Sequence, residues 1–170
     1  MTIRVVSRPA RLSWRNFKSV GSIPDSDEEA QTAQEMIFPR ISVKQVNGKF
    51  RLADFTVTVA TQPADTLVVR TADRSSELLD HEQGHFDLLV LAARAMALDL
   101  EKAEADSPED LQQVLEEIKT THGDRATAID AEYDEQTRHN RDAVQQRRWR
   151  KLINDALTAG NATQLAGMTL

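Results

Sequence analysis

The segment of this chain that could do chemistry contains the pattern His-Glu-x-x-His, formed by His81, Glu82 and His85. Residues four apart lie on one face of a helix, so both imidazoles can bind one metal ion, at about 2.0–2.1 Å for zinc. Glu82 is rotated by about 100° from the first histidine, which keeps its carboxylate out of the ligand set but near a water on the metal. Zinc lowers the pKa of such a water toward about 7, and a glutamate can then act as the general base. The pattern therefore predicts hydrolysis of peptide bonds.

The residues around this pattern favour a buried metal site over a solvated helix edge. The residues that follow His85 are apolar nearly all round, so we expect the helix to be buried just beyond the two imidazoles. Gly84 costs a helix about 0.5–1 kcal/mol relative to alanine, and glycine is tolerated where a backbone or a substrate approaches closely. We therefore expect the histidines at the mouth of a buried helix.

A third metal ligand is required, because two imidazoles leave a zinc site too open for stable binding. The metzincin pattern would place glycine and histidine at positions where this chain has Leu88 and Leu91. A helical hairpin folded about residue 107 brings position 85 level with about 129 and position 81 level with about 133. The third ligand is therefore expected within residues 129–139.

The two motifs together resemble a known family. The chain contains HEQGHFD and, some fifty residues later, YDEQTRH followed by a downstream Trp. These motifs are similar to those of predicted bacterial zinc-dependent proteases of unknown function, often secreted, within the wider HExxH (zincin-like) peptidases. The usual later motif of that family is Tyr-Asp-x-x-Thr-x-His-Gly, and it is matched here by Tyr133, Asp134, Thr137 and His139. Asn140 replaces the glycine of this motif. Residues 12–17 (LSWRNF) are also similar to an early Leu-x-Trp-x-x-Phe segment of the family. The resemblance therefore covers about residues 12 to 150. It implies metal-dependent proteolysis and specifies no substrate.

Two residues of the later motif could complete the metal site. His139 is the better ligand by residue type, because a neutral imidazole offers a nitrogen donor, whereas Asp134 is the better ligand by position. If His139 binds the metal, Asp134 can orient a ligand imidazole through a hydrogen bond. If Asp134 binds the metal, His139 or Tyr133 can donate a hydrogen bond to the developing oxyanion. The sequence leaves both arrangements open, with a slight preference for His139.

The elements that must position these residues change character near residue 74. Before it, alternating and β-branched residues predict strands within 36–46, 50–60 and 66–70. Asn47-Gly48 supplies the two positive-φ positions of a tight hairpin turn, so the first two runs should pair antiparallel. We expect a small antiparallel sheet. By analogy with HExxH peptidases, an edge strand within residues 50–70 would hold the substrate as an added strand.

From Ser75 onward the composition is helical. A helix capped by Ser75 or Ser76 should run to about residue 105, and Ser107-Pro108 should begin a second helix. His122-Gly123 is expected to end that helix, with His122 at the helix end, before a third piece to about His139 and a last helix through Trp149. The predicted fold is α+β: one zincin-like domain over residues 1–170, with a mainly β lobe (1–74), a helical lobe (75–155) and a flexible tail (156–170).

Composition bounds the function further. The 170 residues are 40% hydrophobic and 28% charged, and 27 Asp and Glu outnumber 21 Lys and Arg to give a net charge of −6. A chain of this length can bury a core without cross-links. The absence of Cys excludes disulfides, cysteine-bound zinc and cysteine nucleophiles, so any metal must bind His, Asp or Glu. The net acidity argues against a nucleic-acid partner, and the locally basic run over residues 138–151 is predicted to be a solvated helix face.

No stretch of the sequence predicts a membrane span. The longest mostly apolar stretch, residues 86–100, is interrupted by charged residues and is shorter than the roughly 20 residues that a span needs. The first residues lack the apolar run of about 7–15 residues found in secretory signals. This start predicts a cytoplasmic protein, or a secreted or periplasmic protein whose leader has been removed.

Two functions agree with these features. The first is a zinc-dependent metallopeptidase that acts on a peptide or protein substrate, with Glu82 as general base. The alternative is a noncatalytic metal-binding or degenerate protease-like module that recognises a protein partner. A purely structural helical bundle would leave the His-Glu-His pattern accidental.

Overall fold

Most of the strands lie in the first half of the chain, and helices make up most of the second half. The computed structural model describes residues 2–24 and 26–170. Within these residues, eight strands precede the first long helix: β1 (Ile3–Arg8), β2 (Lys18–Val20), β3 (Ala30–Gln31), β4 (Gln34–Ile37), β5 (Val43–Val46), β6 (Lys49–Leu52), β7 (Phe55–Thr61) and β8 (Leu67–Val69). The helices are α1 (Ser76–Lys102), α2 (Pro108–Thr137) and α3 (Ala143–Ala159). This arrangement confirms the predicted α+β class, with a helical region after N-terminal sheets.

The strands form small sheets of mixed direction. In one sheet β7 pairs parallel with β1 and antiparallel with β4, and in another β8 pairs parallel with β2 and antiparallel with β3. The predicted hairpin is confirmed: β5 and β6 pair antiparallel across Asn47 and Gly48, which have φ of 52° and 81°. A third sheet adds the short strand β9 (Glu104–Ala105) antiparallel to β6. β1 and β2 lie outside the predicted strand runs, and each pairs parallel with a strand far along the chain.

The strands within residues 50–70 are interior strands of their sheets. β6, β7 and β8 each have a neighbour on both sides. The prediction that one of them is a free edge is therefore wrong. Each strand run predicted over 36–46 and 50–60 is also split in two, and the first split contains Pro39, which has no N–H to donate to a ladder.

Helices α1 and α2 begin as the sequence predicts. The side chains of Ser75 and Ser107 each accept a hydrogen bond from the backbone N–H three residues on. α2 then continues through His122 and Gly123, so the predicted helix end at this point is wrong. His122 is buried against α1, with its Nε2 atom 3.1 Å from Asp99 Oδ2. One glycine costs a helix only about 1 kcal/mol, which packing against a neighbouring helix can outweigh.

A sharp turn separates α2 from α3. After Thr137, three consecutive residues have positive φ: Arg138 (52°), His139 (48°) and Asn140 (68°). Asn140 stands where the resembled motif has glycine, and asparagine adopts this left-handed conformation more readily than most residues. Asp142 then caps α3 by accepting hydrogen bonds from the N–H groups of Val144 and Gln145. The helical backbone of α2 therefore ends before His139.

The last residues pack against the helices. β10 (Gln164–Leu165) and β11 (Met168–Thr169) pair antiparallel, and the side chains of Leu165 and Leu170 are buried in the cluster that contains Trp149. Within the tail that was predicted to be flexible (156–170), the last residues therefore form a packed hairpin, because the apolar side chains at 165 and 170 are buried in this core cluster.

Helix α1 lies at the centre of the molecule. Its residues contribute to three buried clusters: Met96 packs toward the first sheet, Leu91 packs toward α2 and α3, and Phe86 packs toward the strands near the N-terminus. Its apolar character on all sides is thereby explained. In the part of the chain that the structure describes, none of the helices combines the length and apolarity that a membrane crossing requires.

Candidate metal centre

Three potential ligand atoms meet beside the first turns of α1. The Nε2 atoms of His81 and His85 are 3.2 Å apart, and Asp134 Oδ1 lies 3.2 Å from the first and 3.1 Å from the second. A tetrahedral zinc ion with bonds of about 2.0–2.1 Å separates its ligand atoms by about 3.3–3.4 Å. The triangle therefore has nearly the dimensions of one face of such a coordination sphere.

The antiparallel packing of α1 and α2 creates this triangle. His81 faces Asp134 and His85 faces Asp130, so a step of four residues along α1 is matched by a step of four back along α2. Residues four apart share a helix face, and both pairs therefore meet at the same interface. The register predicted from a simple hairpin, with position 85 near 129 and position 81 near 133, differs from this one by one residue.

Each ligand imidazole also has a partner on its other nitrogen. His85 Nδ1 lies 2.7 Å from Asp130 Oδ1, and His81 Nδ1 lies 3.2 Å from Gln146 Oε1. A proton on Nδ1 leaves the lone pair of Nε2 free for a metal, which is the usual role of such contacts. Neither Asp130 nor Gln146 was predicted. Asp130 could have been found, because it lies one turn before Asp134, whereas Gln146 reaches the site from a different helix.

The electrostatics of the triangle favour a bound cation. Asp134 Oδ1 is buried, and no N–H or O–H of the described residues is aligned to donate to it. Burial acts to lower the pKa of His85, but the carboxylates of Asp130 and Asp134 outweigh it and raise this pKa well above its usual value. Burial acts to raise the pKa of Asp134, but His81 and His85 hold it well below its usual range. Facing lone pairs repel one another unless a proton or a metal ion lies between them, so these residues fit a divalent ion.

Glu82 faces the same cavity. This cavity of about 450 Å³ is lined by Glu82, by the three residues of the triangle, by residues 27–32 and by the turn at 139–141. The Glu82 side chain is buried, and its Oε2 atom accepts a hydrogen bond of 2.7 Å from Thr32 Oγ1. Burial raises the pKa of Glu82, and His85 and the hydrogen bond from Thr32 partly offset this shift. A carboxylate of raised pKa in a cavity is suited to accept and return a proton.

Comparison with known proteins gives no relative. No family model matches this chain, and no curated protein or solved structure does. The resemblance of its two motifs to HExxH peptidases therefore stays a prediction.

His139 lies at the mouth of the cavity and outside the triangle. Its side chain is 44% exposed, and its Nδ1 atom lies 2.7 Å from Glu28 Oε1 and 3.5 Å from Asp134 Oδ1. Glu28, Asp134 and His139 form a second group whose ligand atoms all lie within 4.8 Å of one another. In this group Glu28 and His139 are already paired with each other, and both lie outside the triangle of His81, His85 and Asp134. Of the two arrangements that the sequence leaves open, the geometry favours Asp134 as the third ligand.

Tyr133 lies behind the metal centre. Its hydroxyl donates a hydrogen bond of 3.1 Å to the backbone oxygen of His81, and its ring stacks on the His81 imidazole with centroids 4.9 Å apart. The side chain is fully buried, and burial raises the pKa of its hydroxyl. The hydrogen of this hydroxyl is directed at the backbone, and Tyr133 is not among the residues that line the cavity. The geometry therefore favours a packing role beside His81 over the catalytic role expected for Tyr133.

Proposed function

We propose that this protein is a zinc-dependent metallopeptidase in which His81, His85 and Asp134 hold the ion and Glu82 is the general base. The observation that carries this proposal is the triangle of buried acceptor atoms, with edges of 3.1–3.2 Å, in a cavity that Glu82 also lines. A solvated helix edge would not bring a carboxylate from a second helix into register with both imidazoles.

The roles of the residues follow from their positions. When bound, the ion supplies Lewis-acid chemistry, which polarises a carbonyl oxygen and lowers the pKa of water. Glu82 takes the proton of the attacking water, and the hydrogen bond from Thr32 holds one of its carboxylate oxygens in place. The raised pKa of Glu82 helps it to retain that proton until the leaving amine accepts it.

His139 is proposed to stabilise the oxyanion that develops on the substrate. The carboxylate of Glu28 lies 2.7 Å from His139 Nδ1 and keeps the imidazole at the mouth of the cavity. The turn that carries His139 has three residues in the left-handed region, and such residues cost about 1–3 kcal/mol each outside glycine. Backbone of this kind is typical of functional sites.

The substrate is proposed to be a peptide or protein in extended conformation. β3 (Ala30–Gln31) lies at the edge of its sheet, and its residues line the cavity together with Thr32. An extended chain can add to such an edge through backbone hydrogen bonds. This edge takes the place of the one predicted within residues 50–70.

The test measures zinc content and peptide cleavage on matched variants. His81→Ala should lose zinc, whereas Glu82→Gln should keep zinc and lose about 10²–10⁴-fold in cleavage rate. Glu77→Gln is the control, because Glu77 is an exposed residue in the first turn of the same helix. Bound zinc without cleavage of any peptide in a diverse library would favour the noncatalytic metal-binding module.

A further inference from the structure

Gln146 connects α3 to the metal centre through a closed ring of contacts. Its side chain is buried, with Oε1 lying 3.2 Å from His81 Nδ1 and Nε2 lying 2.7 Å from the hydroxyl of Tyr133. The same hydroxyl is 3.1 Å from the backbone oxygen of His81. The ring of hydrogen bonds therefore begins and ends on His81.

The chemistry of the groups fixes which atom donates at each contact. A backbone oxygen only accepts, so Tyr133 uses its single hydrogen on His81. The hydroxyl oxygen then accepts from the amide nitrogen of Gln146, which turns the amide oxygen toward His81. An amide oxygen also only accepts, so His81 must carry its proton on Nδ1 and keep a lone pair on Nε2.

The reversed orientation of the Gln146 amide would favour the other tautomer of His81. The amide oxygen of Gln146 would then face a hydroxyl whose hydrogen is already used, and the amide nitrogen would donate to His81 Nδ1. The proton of the imidazole would move to Nε2, which is the atom that faces Asp134 and His85. A protonated nitrogen cannot bind a metal.

We propose that Gln146 is a positioning residue that, together with Tyr133, holds His81 in the tautomer whose Nε2 binds the metal. This inference rests on the proposed metal centre. His85 obtains the same result from the carboxylate of Asp130. A neutral amide at position 146 does so without adding another carboxylate to a site that already contains Glu82, Asp130 and Asp134.

The experiment compares Gln146→Leu with the isosteric Gln146→Glu. The tautomer of His81 is read from the ¹⁵N spectrum of its imidazole in metal-free protein, and zinc affinity is read by competition with a chromophoric chelator. Gln146→Leu should give a mixture of tautomers and weaken zinc binding about 10–100-fold. Gln146→Glu should keep the proton on Nδ1 and bind zinc at least as well as the wild type, because a carboxylate oxygen accepts from His81 Nδ1 as the amide oxygen does. The hydrogen of Tyr133 would then turn from the backbone oxygen of His81 to the other carboxylate oxygen. Gln145→Leu, at the neighbouring glutamine, should change neither readout.

The outcomes separate the two proposals. A Gln146→Leu variant that keeps the Nδ1 proton and the wild-type zinc affinity would overturn the role of Gln146 and leave the metal centre intact. A wild-type protein that shows the Nδ1 proton but binds no zinc would instead contradict the proposed function. If Gln146→Leu does not fold, Tyr133→Phe replaces it. That variant removes the hydroxyl that orients the amide, and it should show the same mixture of tautomers.

Discussion

The hydroxyl of Tyr133 occupies the space where a side chain at Gly84 would begin. A β-carbon built on Gly84 would lie 2.3 Å from that oxygen and 2.6 Å from the ring carbon that bears it. The sequence predicted a close approach at this glycine, and the structure identifies the approaching group as a tyrosine side chain. Gly84 thereby allows Tyr133 to stack on His81.

Gly84→Ala should therefore destabilise the protein, although helix propensity alone predicts the opposite. Alanine is favoured over glycine by about 1 kcal/mol in a helix, whereas overpacking a buried site typically costs about 1–3 kcal/mol. We expect a net loss in the free energy of unfolding, together with weaker zinc binding, because Tyr133 must move away from His81. Urea unfolding measures the first effect.

Gly123→Ala is the matched control for this substitution. Gly123 also lies inside a helix, but nothing lies within 4 Å of a β-carbon built there. This variant should gain about 0.5–1 kcal/mol. Equal stabilisation by both substitutions would contradict the close packing of Tyr133 on Gly84.

The local signals of the sequence predicted α1 and the shared face of its two histidines well. Ser75 and Ser107 cap their helices, and the His-x-x-x-His spacing places both imidazoles on one side, because these features depend only on residues within one or two turns. The parallel pairing of β1 with β7 joins residues far apart in sequence, and no local pattern encodes it.

The remaining site residues depend on how whole helices pack. His139 is a suitable metal ligand by residue type. After the turn that follows Thr137, however, it lies at the mouth of the cavity beside Glu28. The helix register brings Asp134, and not His139, to both imidazoles. Gln146 faces His81 only because α3 packs across both other helices, and this contact could not be derived from spacing along the chain.

Asp130 should set the zinc affinity of His85. Asp130→Ala removes the acceptor that keeps the proton on His85 Nδ1, and we expect zinc affinity to fall about 10–100-fold. Asp130→Asn keeps an acceptor oxygen but no charge and should lie between this variant and the wild type. Asp124→Ala, at an exposed position of the same helix, should bind zinc normally. Unchanged affinity in Asp130→Ala would show that the contact has no part in metal binding.

Zinc should stabilise the folded protein. A ligand that binds only the folded state adds about 2.7 kcal/mol at a free concentration 100 times its Kd. For a chain of this length that corresponds to a rise in Tm of about 5–10 °C, measured by calorimetry with zinc and after treatment with a chelator. His81→Ala should abolish the rise. A wild-type Tm that does not respond to zinc or chelator would favour a purely structural helical bundle.

Zinc affinity should increase as the pH rises through neutrality. In the metal-free protein burial opposes the charge on His85, but Asp130 and Asp134 outweigh it and raise the pKa of this imidazole well above its usual value. Zinc must therefore displace a proton from His85 at neutral pH, and the apparent affinity should rise about tenfold per pH unit until the pH exceeds that pKa. Titration calorimetry in buffers of different ionisation enthalpy should detect about one proton released per zinc at pH 7. Asp130→Asn removes one of the two carboxylates and should shift this dependence to lower pH, whereas zinc binding without proton release would contradict a charged His85 between Asp130 and Asp134.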